Sequence, residues 1–152
     1  GDVELTVACA AELLKRAPEY DILLTAEAKS IPLIHEMARQ SGQNTYVIAR
    51  KAPKLYMEHV QQVSVKSITT AAEQRLCFGE VERELLKGKR VLIVDDVIST
   101  GESLNALEEL VHTVGGTVVG KMAVLAEGDA IDRKDITVLA PLPLFHADGT
   151  VK

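Results

Sequence analysis

Residues 91–103 read Val-Leu-Ile-Val-Asp-Asp-Val-Ile-Ser-Thr-Gly-Glu-Ser. Four apolar residues in succession (Val91, Leu92, Ile93, Val94) predict a strand covered on both faces, which a parallel sheet between two helical layers provides. Asp95 and Asp96 follow at its end, then a Ser-Thr-Gly bend, then a helix opening near Ser103. Adjacent carboxylates repel, so an acid pair here calls for a cation, a ligand hydroxyl or a basic neighbour. The bend offers backbone N–H groups and the hydroxyls of Ser99, Thr100 and Ser103. Gly101 allows close backbone approach, and the helix that follows adds the positive end of its dipole. One half of the segment suits sugar hydroxyls and the other suits a phosphate, so the expected ligand is a ribose 5-phosphate.

Two other folds set acids after an apolar strand. A receiver domain needs roughly 120 residues, the ordinary domain scale, built around that strand. Here several elements precede the strand, and only the last third of the chain follows it. A P-loop nucleotidase needs Gly-x-x-x-x-Gly-Lys-Ser/Thr upstream to cradle phosphate, and no such run is present.

The remaining elements build a sheet around this strand. Apolar spacing predicts a helix over 3–17, ahead of Pro18, and strands over 22–25 and 45–50. Ser30 is placed to cap a helix reaching about Gln40, with Pro32 in its first turn and Gly42 as its stop. A polar connection over 51–62 leads to a hairpin of 62–68 and 74–78, with a mobile tip over 69–73. A short helix over 81–87, a longer one over 103–114, and strands over 117–125 and 136–139 complete the order. Strands alternating with helices predict an α/β fold, a mainly parallel twisted sheet with helices on both faces. Ligands of such sheets bind beyond the C-terminal strand ends. Three of those ends carry polar residues (26–30, 50–54 and 95–103), so these should converge.

The whole of 1–152 reads as one domain. It starts at Gly1 rather than Met, so the expectation is a domain trimmed at its N-terminus. A net charge of −5 opposes a broad electrostatic hold on nucleic acid, and no helix-turn-helix with a basic face is visible. No apolar run approaches the roughly 20 residues that cross a bilayer, and no signal peptide is seen, so no membrane partner is expected. Cys9 and Cys77 form no Cys-x-x-Cys pair, and two reduced thiols suit the cytoplasm. His35, His59, His112 and His146 show no ligand spacing.

The stretch 91–103 resembles the signature of the type I phosphoribosyltransferases, which use 5-phosphoribosyl 1-pyrophosphate (PRPP). Thr25-Ala26-Glu27-Ala28-Lys29-Ser30-Ile31-Pro32 resembles the pyrophosphate loop of the adenine and xanthine members and of the purine-operon repressor of the same fold. Ser30 stands where that loop usually has Gly, and the loop often carries a non-proline cis peptide. Ile48-Ala49-Arg50-Lys51-Ala52-Pro53-Lys54 resembles the Arg-Lys segment of adenine phosphoribosyltransferases. Residues 55–80 match the place of a flexible hood loop that closes on PRPP. There Ser67-Ile68-Thr69-Thr70 stands in place of the Ser-x-Ser/Glu-Tyr of adenine enzymes. Residues 138–145 resemble the C-terminal segment of the adenine branch, with Phe145 read as ordinary core. Glu127 fits a family acid of unassigned role.

The resemblance implies a set of roles. Asp95 and Asp96 would hold the ribose hydroxyls, partly through Mg²⁺. Val97, Ile98, Ser99, Thr100, Gly101, Glu102 and Ser103 would hold the 5-phosphate. Ala28, Lys29, Ser30, Arg50, Lys51 and Lys54 would hold the pyrophosphate. It also implies a homodimer. Two functions stay open. One is an enzyme transferring the phosphoribosyl group to a purine, adenine first, in purine salvage. The other is a PRPP-binding regulatory module without transfer activity. The enzyme is the favoured of the two.

Overall fold

The computed structural model describes residues 1–65 and 74–151. The expected hood residues 67–70 and the whole of the expected tip 69–73 lie outside them. The elements run α1 (Val3–Leu14), β1 (Ile22–Ala26), α2 (Ile31–Ser41), β2 (Val47–Ala49), β3 (Gln61–Val65), β4 (Gln74–Phe78), α3 (Glu80–Leu86), β5 (Arg90–Ile98), α4 (Glu102–Thr113), β6 (Thr117–Glu127) and β7 (Thr137–Leu142). A 3₁₀ turn, Gly128–Asp132, joins the last two strands. The main sheet has five strands in the order β2-β1-β5-β6-β7, every neighbour parallel. β3 and β4 form a separate antiparallel hairpin. The α/β expectation therefore holds, with the 91–94 run on the middle strand.

Burial explains why that run is apolar throughout. Val91 and Ile93 pack into one cluster with Leu104, Leu107 and Leu110 of α4 and Phe78 of the hairpin. Leu92 and Val94 point the other way, into Leu13 of α1 and Ile34 and Met37 of α2. Side chains alternate across a strand, so a strand with a core on each side has no polar face.

The ends of elements differ from expectation in instructive ways. β5 continues through Asp95 and Asp96 to Ile98, so the acids sit within the last turns of hydrogen-bonding strand. α1 stops at Leu14, short of 17, and the chain turns through Lys15 to Ala17 before Pro18. Gly42 takes the left-handed conformation (φ 74°) that closes α2. Phe145 is exposed, pairing through its backbone with Val151 in the tail, and is not core. The hairpin hangs on the end of β2: Arg50 and Cys77 exchange backbone hydrogen bonds of 3.0 and 2.8 Å.

Because Leu92 is wholly buried beneath α1 and α2, Leu92→Ala is expected to lower unfolding free energy by about 2–5 kcal/mol. Urea denaturation followed by circular dichroism checks it.

Candidate active site

The C-terminal ends of β1, β2 and β5 surround a cleft of about 180 Å³ lined by residues 26–30, Lys51, Asp95, Asp96 and Ser103. Next to it, residues 97–104 enclose a smaller hollow of about 60 Å³ with Asp95 at its edge. The three polar strand ends do converge. A larger hollow of about 590 Å³ lies between 56–58 and α3, but its polar rim is Glu58, Glu80, Glu82 and Glu84, with no cation to meet an anionic ligand.

Ser30 occupies the N-cap position of α2, yet its hydroxyl does not cap the helix. Its backbone is already helical (φ −78°, ψ −4°), which turns the side chain away from the helix's free N–H groups. The hydroxyl instead donates to Asp95 Oδ1 at 2.5 Å and lies 3.2 Å from Asp96 Oδ1. The Asp96 N–H is shared between Ser30 Oγ at 3.0 Å and Asp95 Oδ1 at 2.9 Å. One buried serine thus joins the loop after β1 to the acid pair on β5. The peptide Glu27–Ala28 in this loop is cis and non-proline, as the resemblance implied.

Burial pushes the Asp95 carboxyl up to about 6, and the neighbouring Asp96 adds to the rise. The donated hydrogen bonds from Ser30 and the Asp96 N–H act in the opposite direction and are outweighed.

Across the cleft, Glu27 receives the Lys51 N–H at 3.2 Å and Arg50 Nη1 at 3.3 Å. Its carboxyl is held below the usual range, first by the Lys51 N–H and further by the charges of Lys54 and Arg50. Lys29 and Lys51 are exposed and line the cleft, whereas Arg50 and Lys54 do not line it. Arg50 forms an ion pair with Glu27 at 3.3 Å. The loop motif over 25–32 contains Glu27 and implies no role for it. The signal was an acid at one strand end facing an Arg-Lys pair at the next.

On the bend, the side chain of Ile98 is buried in the core, so only its backbone can meet a ligand. Thr100 Oγ1 accepts the Glu102 N–H at 3.4 Å, and Ser99 and Ser103 are exposed. Gly101 is buried with φ 80°, a conformation that glycine adopts freely.

The donor set suits Mg²⁺ of one kind. Among the described residues no group of three or more His, Cys, Asp and Glu could hold a metal. The protein therefore offers a pair of hard carboxylate ligands, which matches an ion that keeps waters and takes its remaining ligands from phosphates.

A family model, the phosphoribosyl transferase domain, matches residues 6–147. A hypoxanthine/guanine phosphoribosyltransferase from Methanosarcina mazei is 34% identical over 109 residues, covering 72% of this chain and 53% of that protein. An adenine phosphoribosyltransferase from Bifidobacterium longum is 34% identical over 120 residues, covering 77% of this chain and 58% of that protein. The chain thus spans little more than half the length of these relatives. The crystal structure of adenine phosphoribosyltransferase from Thermoanaerobacter pseudethanolicus superposes with a TM-score of 0.76 at 22% identity, over 93% of this chain and 83% of that one. That likeness concerns the fold.

A carboxyl whose folded value lies near 6, against an ordinary 3.8, binds its proton more tightly in the native state. The stability it contributes is complete below about pH 4 and is lost as pH rises through 6. Asp95→Asn keeps the acceptor for Ser30 and removes this loss. The variant's stability should fall less between pH 4 and pH 7 than the parent's, by on the order of 1–3 kcal/mol. Denaturant midpoints across that range measure it; parallel curves would rule it out.

Proposed function

The chain belongs to the phosphoribosyl transferase domain family, and from that premise we propose that it transfers the 5-phosphoribosyl group of PRPP to a purine base, adenine first, releasing pyrophosphate. The observation that carries the reading is the Ser30 hydroxyl bridging the loop after β1 to Asp95 and Asp96, with the 97–103 bend beside them. Adenine is favoured because 48–54 and 138–145 resemble the adenine branch, while 25–32 resembles the loop that adenine and xanthine members share. The relatives' own names divide between bases.

In this reading the base nitrogen attacks the anomeric carbon of ribose as the bond to pyrophosphate breaks. The transition state resembles an oxocarbenium ion, as in glycoside chemistry. No side chain forms a covalent bond. Asp95 and Asp96 orient the ribose hydroxyls and set negative charge near the cationic ring. The bend 97–103 fixes the 5-phosphate through backbone N–H groups and the hydroxyls of Ser99 and Ser103. Lys29 and Lys51 meet the leaving pyrophosphate directly, while Arg50 and Lys54 add positive field from behind Glu27. Positioning and charge stabilisation carry the rate. Mg²⁺, when bound to Asp95 and Asp96, supplies further neutralisation of phosphate charge.

Pyrophosphate release from PRPP and Mg²⁺ with adenine, guanine, hypoxanthine, xanthine, uracil and orotate tests the proposal. Release with adenine is expected. Silence with every base while PRPP still binds would replace the enzyme by a PRPP-binding regulatory module. In the same assay format, Asp95→Asn with Asp96→Asn should abolish Mg²⁺-dependent PRPP binding by calorimetry while the fold persists; unaltered affinity would end the site assignment.

Lys29→Ala isolates the leaving-group half. It should weaken pyrophosphate about tenfold or more and leave ribose 5-phosphate little changed, the scale of one charge-assisted hydrogen bond. Equal losses for the two ligands would remove the loop from this role.

A further inference from the structure

Arg133 follows the 3₁₀ turn Gly128–Asp132 and reaches the phosphate bend from outside the sequence signature. Its Nη1 fills the space that a β-carbon at Gly101 would occupy. Glycine is favoured at 101 by φ 80°, and the absence of a side chain there lets this guanidinium lie against the bend. The opposite edge of Arg133 is clamped: Nε donates to Asp135 Oδ1 at 2.9 Å and Nη2 to Oδ2 at 2.7 Å. Asp135 also pairs with Lys121 of β6 at 2.8 Å, and Lys121 pairs with Glu108 of α4 at 3.2 Å. The segment after the turn is thus fastened to β6 and, through Lys121, to α4, the helix that follows the bend.

This clamp sets an orientation. Two cations and two carboxylates balance in the cluster, so its net charge attracts nothing from afar. Asp135 takes the Nε and Nη2 edge, which leaves the Nη1 corner turned to the bend. Among the described residues Nη1 donates no hydrogen bond. The side chain is a quarter exposed, so its field is only partly screened.

Resting on the phosphoribosyl-transfer reading above, we infer that Arg133 is a positioning residue for the sugar 5-phosphate. It holds the 99–103 bend in its ligand-binding shape and places a fixed positive charge behind it. The charge acts through the bend and favours a phosphate monoester there over the pyrophosphate end, which lies across the cleft. With no β-carbon at Gly101, the guanidinium lies directly behind the bend.

The test is calorimetric titration of the whole chain with ribose 5-phosphate and, separately, with pyrophosphate and Mg²⁺. Arg133→Gln, which keeps bulk but not charge, should weaken ribose 5-phosphate roughly tenfold and leave pyrophosphate within about twofold. Arg133→Lys should recover most of the loss. Arg133→Gln should also flatten the salt dependence of ribose 5-phosphate affinity. Unchanged ribose 5-phosphate affinity in Arg133→Gln would overturn the inference. So would equal losses in Arg133→Gln and Arg133→Lys, which would make the residue a neutral brace. A parent chain that binds neither ligand would instead overturn the phosphoribosyl reading, and this inference with it.

Discussion

The Ser30 hydroxyl is the contact on which the geometry of the cleft depends. The strand ladder between β1 and β5 pairs 22–24 with 91–93 and stops short of the acids. The serine closes the gap above that ladder with a bond to a carboxylate and a bond from the next backbone N–H. Hydrogen bonds to charged groups are among the stronger ones in a protein, and the serine that makes this one is almost wholly buried. It fixes the distance between the loop that would meet pyrophosphate and the acids that would meet ribose.

A second latch works by charge. Glu27 draws in the Lys51 N–H and Arg50, which ties the end of β1 to the end of β2. Arg50 in turn pairs through its backbone with Cys77, which ties β2 to the hairpin. The run from Ser30 through Glu27 and Arg50 to Cys77 joins the hairpin to the acid pair by short contacts alone. A basic segment that looks, in isolation, like a uniform anion trap is thereby divided. Arg50 is turned to Glu27 behind the cleft wall, and Lys51 remains to face the cleft.

Much of this could be read from residues alone, and the physics explains which parts. The middle strand was legible because burial on two faces leaves no room for a polar residue over 91–94, and the helices over 31–41 and 102–113 because glycines and apolar spacing bound them. Convergence of the three strand ends followed from the parallel order. The role of Ser30 was not legible. Serine before a proline-led helix is a sound cap by local rules, and only the approach of β5 decides that its hydroxyl turns elsewhere. Phe145 failed for a related reason, since an aromatic near a chain end is core only if something covers it. Arg133 left no signal, because its partner Gly101 is thirty residues away and the contact is one of shape.

The acid pair also explains a tension in the fold. Asp95 sits where β5 is still hydrogen-bonded to β6, and burial there raises its proton affinity. An uncharged residue at this position would suit the sheet better, because the ionised form lacks the solvation it would have in water. The hydroxyl and N–H groups aimed at its Oδ1 recover only part of that loss. Such an arrangement is stable as a whole because the two apolar layers on β5 are continuous up to Val94, directly beneath the acids. The same strand thus carries the firmest part of the core and the least comfortable charge. A cation entering the cleft would relieve that charge.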